Sequence, residues 1–393
     1  MDLKKKALSF VVLLGVVSLF ADMTYEAARS ITGPYLAVLG ASAAVVGFVA
    51  GLGELIGYGL RIVSGIISDR SRRYWTITII GYAVNLLAVP LLALAGRWEI
   101  AALLIVTERL GKAVRVPARD AMLSHAAQSI GRGWAFALHE ALDQIGAMTG
   151  PIIVTVVFAL KGQYSWAFAV LAAPALLALG VLLAARFIYP NPREFELETA
   201  RLETRGFSRA FWIYLAATAL IGAGFADFPL AAFHFKRLGL VEDKWIPLVY
   251  AGAMGLDAIA ALVFGRWFDK KGLFALMIGV AFSCLFAPFI FSGRLSLALV
   301  GVALWSIGLG AQESIVRAAV CDFVSAERRA TGYGVFNTGF GLAWFLGSAL
   351  MGLLYDRSLP ALMIFSVLIQ LASLPLLYSV FKSSAEACPR GAD

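Results

Sequence analysis

Gly65-Ile66-Ile67-Ser68-Asp69-Arg70-Ser71-Arg72-Arg73 and Gly265-Arg266-Trp267-Phe268-Asp269-Lys270-Lys271-Gly272 are two copies of one pattern: a glycine, an acid four residues on, and bases directly after the acid. Each copy follows a long apolar run and precedes another. Fainter echoes keep nearly the same offset: Arg115 to Asp120 matches Arg317 to Asp322, and Arg132-Gly133-Trp134 matches Thr331-Gly332-Tyr333. A chain that repeats itself at about half its length is built from two homologous halves, and self-similarity of this kind has to be read before anything else.

The material between the repeats is apolar. Of 393 residues, 60% are hydrophobic and only 15% charged, which is more apolar and less charged than a soluble globular chain (about 45–50% and about 25%). About 236 apolar residues suffice for up to about twelve membrane helices of roughly 20 residues. Runs near 7–39, 43–68, 74–95, 100–123, 134–160 and 165–188 form a first set of six. Runs near 210–235, 245–268, 272–291, 295–321, 332–354 and 360–381 form a second. The expected fold class is therefore an all-α membrane protein of twelve transmembrane helices in two pseudo-symmetric six-helix bundles. Its expected parts are an N-terminal bundle over 1–189, a polar linker over 190–208, a C-terminal bundle over 209–382 and a polar tail over 383–393. Lys4-Lys5-Lys6 before the first run has the look of a signal peptide, but no small-residue cleavage site follows, so the run is read as an uncleaved span.

Charge placement sets the expected orientation. With alternate loops assigned to opposite sides, Lys4 to Lys6, Arg70 to Arg73, Arg193 to Arg209 and Arg266 to Lys271 share the side of both termini. Only scattered bases such as Arg97, Lys161 and Lys244 lie opposite. The positive-inside rule then puts both termini in the cytoplasm of a multi-pass protein of the cell membrane. It also accounts for the net charge of +8 without a nucleic-acid partner. Cys284, Cys321 and Cys388 are scattered and the three histidines far apart in sequence, so no disulfide framework and no metal centre are expected.

The two loop motifs resemble those of the major facilitator superfamily, and the resemblance covers nearly the whole chain. The family pattern, Gly-x-x-x-Asp-Arg/Lys-x-Gly-Arg/Lys-Arg/Lys, is met at Gly65, Asp69, Arg70 and Arg73, with Arg72 in place of the second glycine. The second copy keeps Gly265, Asp269, Lys270 and Gly272. The resemblance implies a secondary transporter working by alternating access around a cavity between its halves. It also implies that Asp69, Arg70, Arg73 and Asp120 in one half, and Asp269, Lys270 and Asp322 in the other, latch a gate. Gly146-x-x-x-Gly150-Pro151 is similar to the motif of the superfamily's proton-coupled antiporters. That likeness points to a prokaryotic exporter of an amphipathic small molecule in exchange for protons. Import of an organic anion with protons is the alternative, and a non-transporting sensor another.

Ionisable groups inside spans cost about 2.5–3.5 kcal/mol on insertion scales, so each is expected to face a cavity or a partner. Asp22, Glu26 and Arg29 fall at i, i+4 and i+7 on one stripe of the first helix, with Tyr25 beside them. Burial and a nearby Arg act oppositely on a carboxylate's hold on its proton. Asp22 or Glu26 is thus either a proton switch or half of a static pair with Arg29 or Arg115. Asp227 is the nearest acid in the mirror region. Glu54 and Arg61 share a face of the second span with Tyr58 close by, and Asp257 is their nearest counterpart. They read as cavity groups or as an interhelical pair. Glu108, Lys112, Arg115 and Arg119 form a largely cationic ridge, suited to an anionic substrate or to neutralising the first-helix acids. His139 and Asp143, one turn apart, read as a proton relay or a structural pair, and Glu313 with Arg317 as cavity groups or shared machinery. Tyr35, Trp305, Phe336 and Trp344 read as the lining of a cavity for a hydrophobic substrate or as lipid-facing or packing residues. No Walker motif or nucleophile motif is present, so neither ATP-driven transport nor an enzyme is expected. The expected partners are a small-molecule substrate, protons and the lipid bilayer, with no cofactor and a monomeric chain.

Overall fold

The computed structural model describes residues 3–130, 132–190, 207–324 and 329–387. No strand occurs among them, and eleven helical stretches are long and apolar enough to cross a membrane. The chain is a multi-pass all-α membrane protein. A segment in lipid must pair its own backbone N–H and C=O groups, which long helices do without help from a neighbour.

The first six expected spans are α1 (Leu3–Val38), α2 (Ala43–Ser71), α3 (Tyr74–Leu91), α4 (Trp98–Ile130), α5 (Arg132–Lys161) and the pair α6 (Tyr164–Ala169) and α7 (Ala172–Ile188). The remaining elements are α8 (Arg209–Gly224), α9 (Phe228–Leu238), α10 (Ile246–Lys271), α11 (Leu273–Ser283), α12 (Phe286–Ile290), α13 (Leu295–Ile315), α14 (Val320–Phe323), α15 (Arg329–Arg357) and α16 (Leu359–Ala387). Helix α4 is not among the eleven apolar stretches, because Glu108, Arg109, Lys112, Arg115, Arg119 and Asp120 interrupt its apolar sequence.

Residues 1–41, 56–200 and 241–252 make up one compact unit, and residues 42–55, 201–240 and 253–393 the other. Helices α2 and α10 each change unit part-way along. The linker expected over 190–208 has residues 191–206 outside the described set, as are 388–393 of the tail.

In the first unit α1 packs on α5, α7 and α4, and α3 on α4. The α1–α5 crossing is close because Gly146 and Gly150 of α5 lie directly against the α1 backbone. A methyl group on Gly146 would meet the Leu19 carbonyl oxygen, and one on Gly150 the Met23 carbonyl oxygen, inside van der Waals distance. Pro151 follows inside α5. Small residues are what allow such approach in lipid.

In the second unit α8 packs on α16 and α15, and the expected span 210–235 is cut at Phe225, Ala226 and Asp227. The carbonyls released there are taken up by side chains. Gly224 O accepts from Ser366 Oγ at 2.7 Å and Gln370 Nε2 at 3.1 Å, and Ala226 O from Trp305 Nε1 at 2.8 Å. The Asp227 carboxylate accepts from Trp344 Nε1 at 3.1 Å and Ser348 Oγ at 3.2 Å. The same unit holds the first turns of α2, whose Ala43 and Ala44 N–H groups donate to the Asp356 carboxylate at 3.3 and 2.8 Å. An anion at orphan helix N–H groups is favourable both as a hydrogen-bond acceptor and toward the helix dipole.

Arg72 has φ +58°, the one positive φ outside glycine among the described residues, and Gly272 at the matching place in the other repeat has φ +59°. The repeat thus preserves a positive φ even where its glycine is lost. A side chain in that conformation costs roughly 1–2 kcal/mol, against about 0.5–1 kcal/mol for the extra chain entropy of glycine. Arg72→Gly is accordingly expected to stabilise the protein by about 0.5–1 kcal/mol, visible as a higher melting temperature in detergent. A lower one would mean that the Arg72 side chain makes compensating contacts.

Candidate functional site

Charged side chains converge in the core of the first unit, on the stripe of α1 that the sequence marks. Asp22, Tyr25 and Glu26 are buried, and the Arg29 side chain is one-fifth exposed. Spacing of three and four residues on a helix brings them onto one face. The Tyr25 hydroxyl donates to Asp22. Glu26 has an Arg29 nitrogen at 3.9 Å and accepts from the Tyr250 hydroxyl of α10 at 2.5 Å.

Helix α4 faces this stripe with its cationic ridge. The Lys112 amine stands 4.0 Å above the Tyr25 ring centroid. Arg115 is 1% exposed, its guanidinium 4.2 Å from the Tyr82 ring and 5.7 Å from that of Tyr25. Its Nε donates to Asn85 Oδ1 at 3.3 Å, while its buried Nη1 has no hydrogen-bond partner among the described residues. Asn85 Nδ2 in turn donates to Glu108 Oε1 at 2.7 Å, and Glu108 pairs with Arg109 at 3.3 Å. Asn85 therefore ties α3 to α4.

Toward the far end of α4, Arg119 pairs with Asp120 at 2.8 Å and donates to Ser18 Oγ at 3.1 Å. Ser18 also meets His139 Nε2 at 3.1 Å and the Tyr82 hydroxyl at 3.4 Å, and His139 Nδ1 lies 3.3 Å from Asp143. The Asp143–His139–Ser18–Tyr82 chain runs from α5 through α1 to α3 and ends under the Arg115 guanidinium. Gly146 and Gly150 of α5 make this possible by holding α5 against α1 one to two turns beyond Asp143.

Other candidates fall elsewhere. Arg61 stands 4.9 Å over the Tyr58 ring in the first unit, whereas Glu54 belongs to the second. Asp227 and Asp257 are buried in the second unit. Glu313 is exposed in the last turn of α13, and Arg317 lies in the exposed turn after it, not in the helix where the spacing puts it; the Arg317 carbonyl accepts from Tyr333. Arg115 and Arg317 match in sequence but not in surroundings. Of the loop motifs, Gly65 is loosely packed, Arg70, Arg73, Asp269 and Lys270 are exposed, and Gly265 is half-buried. The side chains of Asp69 and Asp322 lie outside the described residues. Sequence reasoning does not find Tyr250, 224 residues from its partner, nor Ser18, an ordinary serine in an apolar run. Lys112 is visible only as part of the ridge.

The sequence profile of the Major Facilitator Superfamily matches residues 14–348 and 244–387. An uncharacterized protein of Mycobacterium tuberculosis is 43% identical over 378 residues, covering 94% of this chain and 92% of that one. An uncharacterized MFS-type transporter of Methanocaldococcus jannaschii is 27% identical over 364 residues, covering 88% and 89%. Among solved structures, a nucleoside transporter superposes with TM-score 0.73 at 15% identity over 97% of this chain and 99% of its own. A peptide transporter does so with TM-score 0.76 at 15% identity over 98% of each. At such identity the likeness concerns the fold.

Proposed function

The chain belongs to the major facilitator superfamily and is a membrane transporter of small molecules rather than an enzyme; from that premise we propose that it is a proton-coupled secondary transporter of the cytoplasmic membrane in which Asp22 carries the proton. One observation supports this assignment. Glu26, Glu108 and Asp120 each have an Arg side chain within 4 Å, and Asp143 has the His139 ring at 3.3 Å. The hydrogen bond at Asp22 comes instead from the neutral Tyr25 phenol. Asp22 can therefore gain or lose a proton without breaking an ion pair, whereas uncoupling a buried pair costs several kcal/mol. His139 with Asp143 is the second candidate, since that pair shares Ser18 and Tyr82 with the surroundings of Arg115.

Gly146, Gly150 and Pro151 favour an exporter only through their likeness to antiporters. Their packing role is indifferent to the direction of transport. The loop residues Asp69, Arg70, Arg73, Asp120, Asp269, Lys270 and Asp322 are assigned to the gate on the same footing.

The test is proton movement in proteoliposomes that hold a trapped pH dye. Benzenesulfonate, benzyltrimethylammonium and uridine, which keep their charge across the working pH range, are added outside in turn. At least one is expected to move protons above protein-free controls. A solute that equilibrates without any dye response, and without response to an imposed pH gradient, overturns proton coupling and leaves a facilitator.

A further inference from the structure

The charges of the first-unit core go beyond proton coupling and point to a substrate class; the step rests on the assignment of the proton to Asp22. With the carboxylates, Lys and Arg ionised and His139 neutral, the acids Asp22, Glu26, Glu108, Asp120 and Asp143 match the bases Arg29, Arg109, Lys112, Arg115 and Arg119 one for one. Three pairs are internally satisfied: Glu26 with Arg29, Glu108 with Arg109, and Asp120 with Arg119. Asp143 Oδ1 lies 3.3 Å from His139 Nδ1.

Two cations are left facing aromatic rings instead of carboxylates. Lys112 is half-buried and has no ion pair within 4 Å among the described residues; its amine lies on the Tyr25 ring. Arg115 is fully buried, and its Nη1 is an unsatisfied donor. A ring face attracts a cation but neither neutralises it nor accepts its hydrogen bonds well. A buried guanidinium nitrogen without an acceptor is costly, and such a cost is removed when an anionic ligand supplies one.

We infer that Lys112 and Arg115, both set against Tyr25, form the subsite for the acid group of an anionic substrate, a carboxylate or phosphate ester, which binds together with the proton on Asp22. Neutral Asp22 leaves the cluster with one surplus positive charge, and low-dielectric surroundings make that surplus unfavourable. An anion cancels it. Proton and anion then occupy the core together and cross in the same direction. A cationic substrate would instead have to displace Lys112 from its place on the Tyr25 ring.

The groups that set the proton balance at Asp22 come from each neighbouring element. They are Tyr25, Glu26 and Arg29 on α1, Tyr82 on α3, Lys112 and Arg115 on α4, His139 and Asp143 on α5, and Tyr250 on α10. Arg115 is the positioning half of the subsite, fixed by Asn85 and Tyr82. Lys112, with a free amine on a flexible stem, is the half that meets the ligand first.

The experiment is thermal melting of the purified full-length protein in detergent, with benzenesulfonate, benzyltrimethylammonium or uridine added at millimolar concentration. Sulfonate stays ionised at every working pH, so any pH dependence belongs to the protein. Benzenesulfonate is expected to raise the melting temperature, more at acid than at alkaline pH, and benzyltrimethylammonium is not. Lys112→Arg should keep the response and Lys112→Gln lose it, while Asp22→Asn should make it independent of pH.

Stabilisation by the cation alone, no response to benzenesulfonate at any pH, or an unchanged response in Lys112→Gln overturns the inference. The wild-type comparison stands even if Lys112→Gln fails to fold. Proton flux driven by benzyltrimethylammonium in proteoliposomes would sink the anion subsite and leave proton coupling intact. Benzenesulfonate binding without any solute-driven proton flux would do the reverse.

Discussion

Gly150→Val is expected to leave little folded protein. The position faces backbone, not the yielding end of a side chain: a Cβ there lies 2.9 Å from both the carbonyl carbon and the Cα of Met23, and closer still to its carbonyl oxygen. Overpacking a well-packed interior ordinarily costs about 1–3 kcal/mol. Here neither helix can give way locally, so α5 must move off α1 along its length. That displacement would open the most extensive helix contact of the first unit and pull His139 and Asp143 away from Ser18. Size-exclusion chromatography of a fluorescent fusion should show the variant aggregated or absent. Gly180→Val, at a position with nothing within 4 Å of a Cβ, should elute like the wild type. A monodisperse Gly150→Val protein melting at the wild-type temperature would refute the close crossing of α1 and α5.

Asp22→Asn is expected to abolish coupling while sparing the fold. Asparagine keeps an oxygen that can accept from Tyr25 and differs little in volume, but it binds no proton in the working range. For one proton per substrate, a pH gradient of one unit supplies about 1.4 kcal/mol, enough to drive roughly tenfold accumulation. In proteoliposomes with such a gradient, the variant should bring substrate only to equal concentrations on the two sides. Exchange of labelled for unlabelled substrate should persist, since it needs no net proton movement. Glu26→Gln is the contrasting case. Glu26 is held by Arg29 and Tyr250, so its loss should lower the melting temperature and leave accumulation in place. Accumulation that survives in Asp22→Asn and vanishes in Glu26→Gln would move the proton to Glu26.

Much of this molecule is legible from its residues because lipid leaves a chain few choices. Apolar runs of the right length have to be helices, and the paired loop motifs disclose the repeat before any contact is known. The stripe Asp22, Tyr25, Glu26 and Arg29 is likewise local, a matter of helical period. What fails is the inference from matching sequence to matching surroundings. Arg115 and Arg317 occupy equivalent places in the repeat, yet one is buried over Tyr82 and the other lies in a turn that no Pro or Gly announces. The cut at Phe225 to Asp227 had signals, Gly222 and Gly224 before it and Pro229 after it, which hydropathy alone passes over. The Tyr250 contact with Glu26 is long-range and writes no pattern into either segment.

The interruption between α8 and α9 also has a mechanical meaning. Two stiff rods meet at three non-helical residues, and the carbonyls of Gly224 and Ala226 are held by rotatable side chains, Trp305 from α13 and Ser366 and Gln370 from α16. Bending at such a joint turns side-chain torsions instead of tearing a backbone ladder. Compliance is thereby confined to one short stretch of an otherwise rigid span, and the two rods can tilt against each other at constant hydrogen-bond inventory.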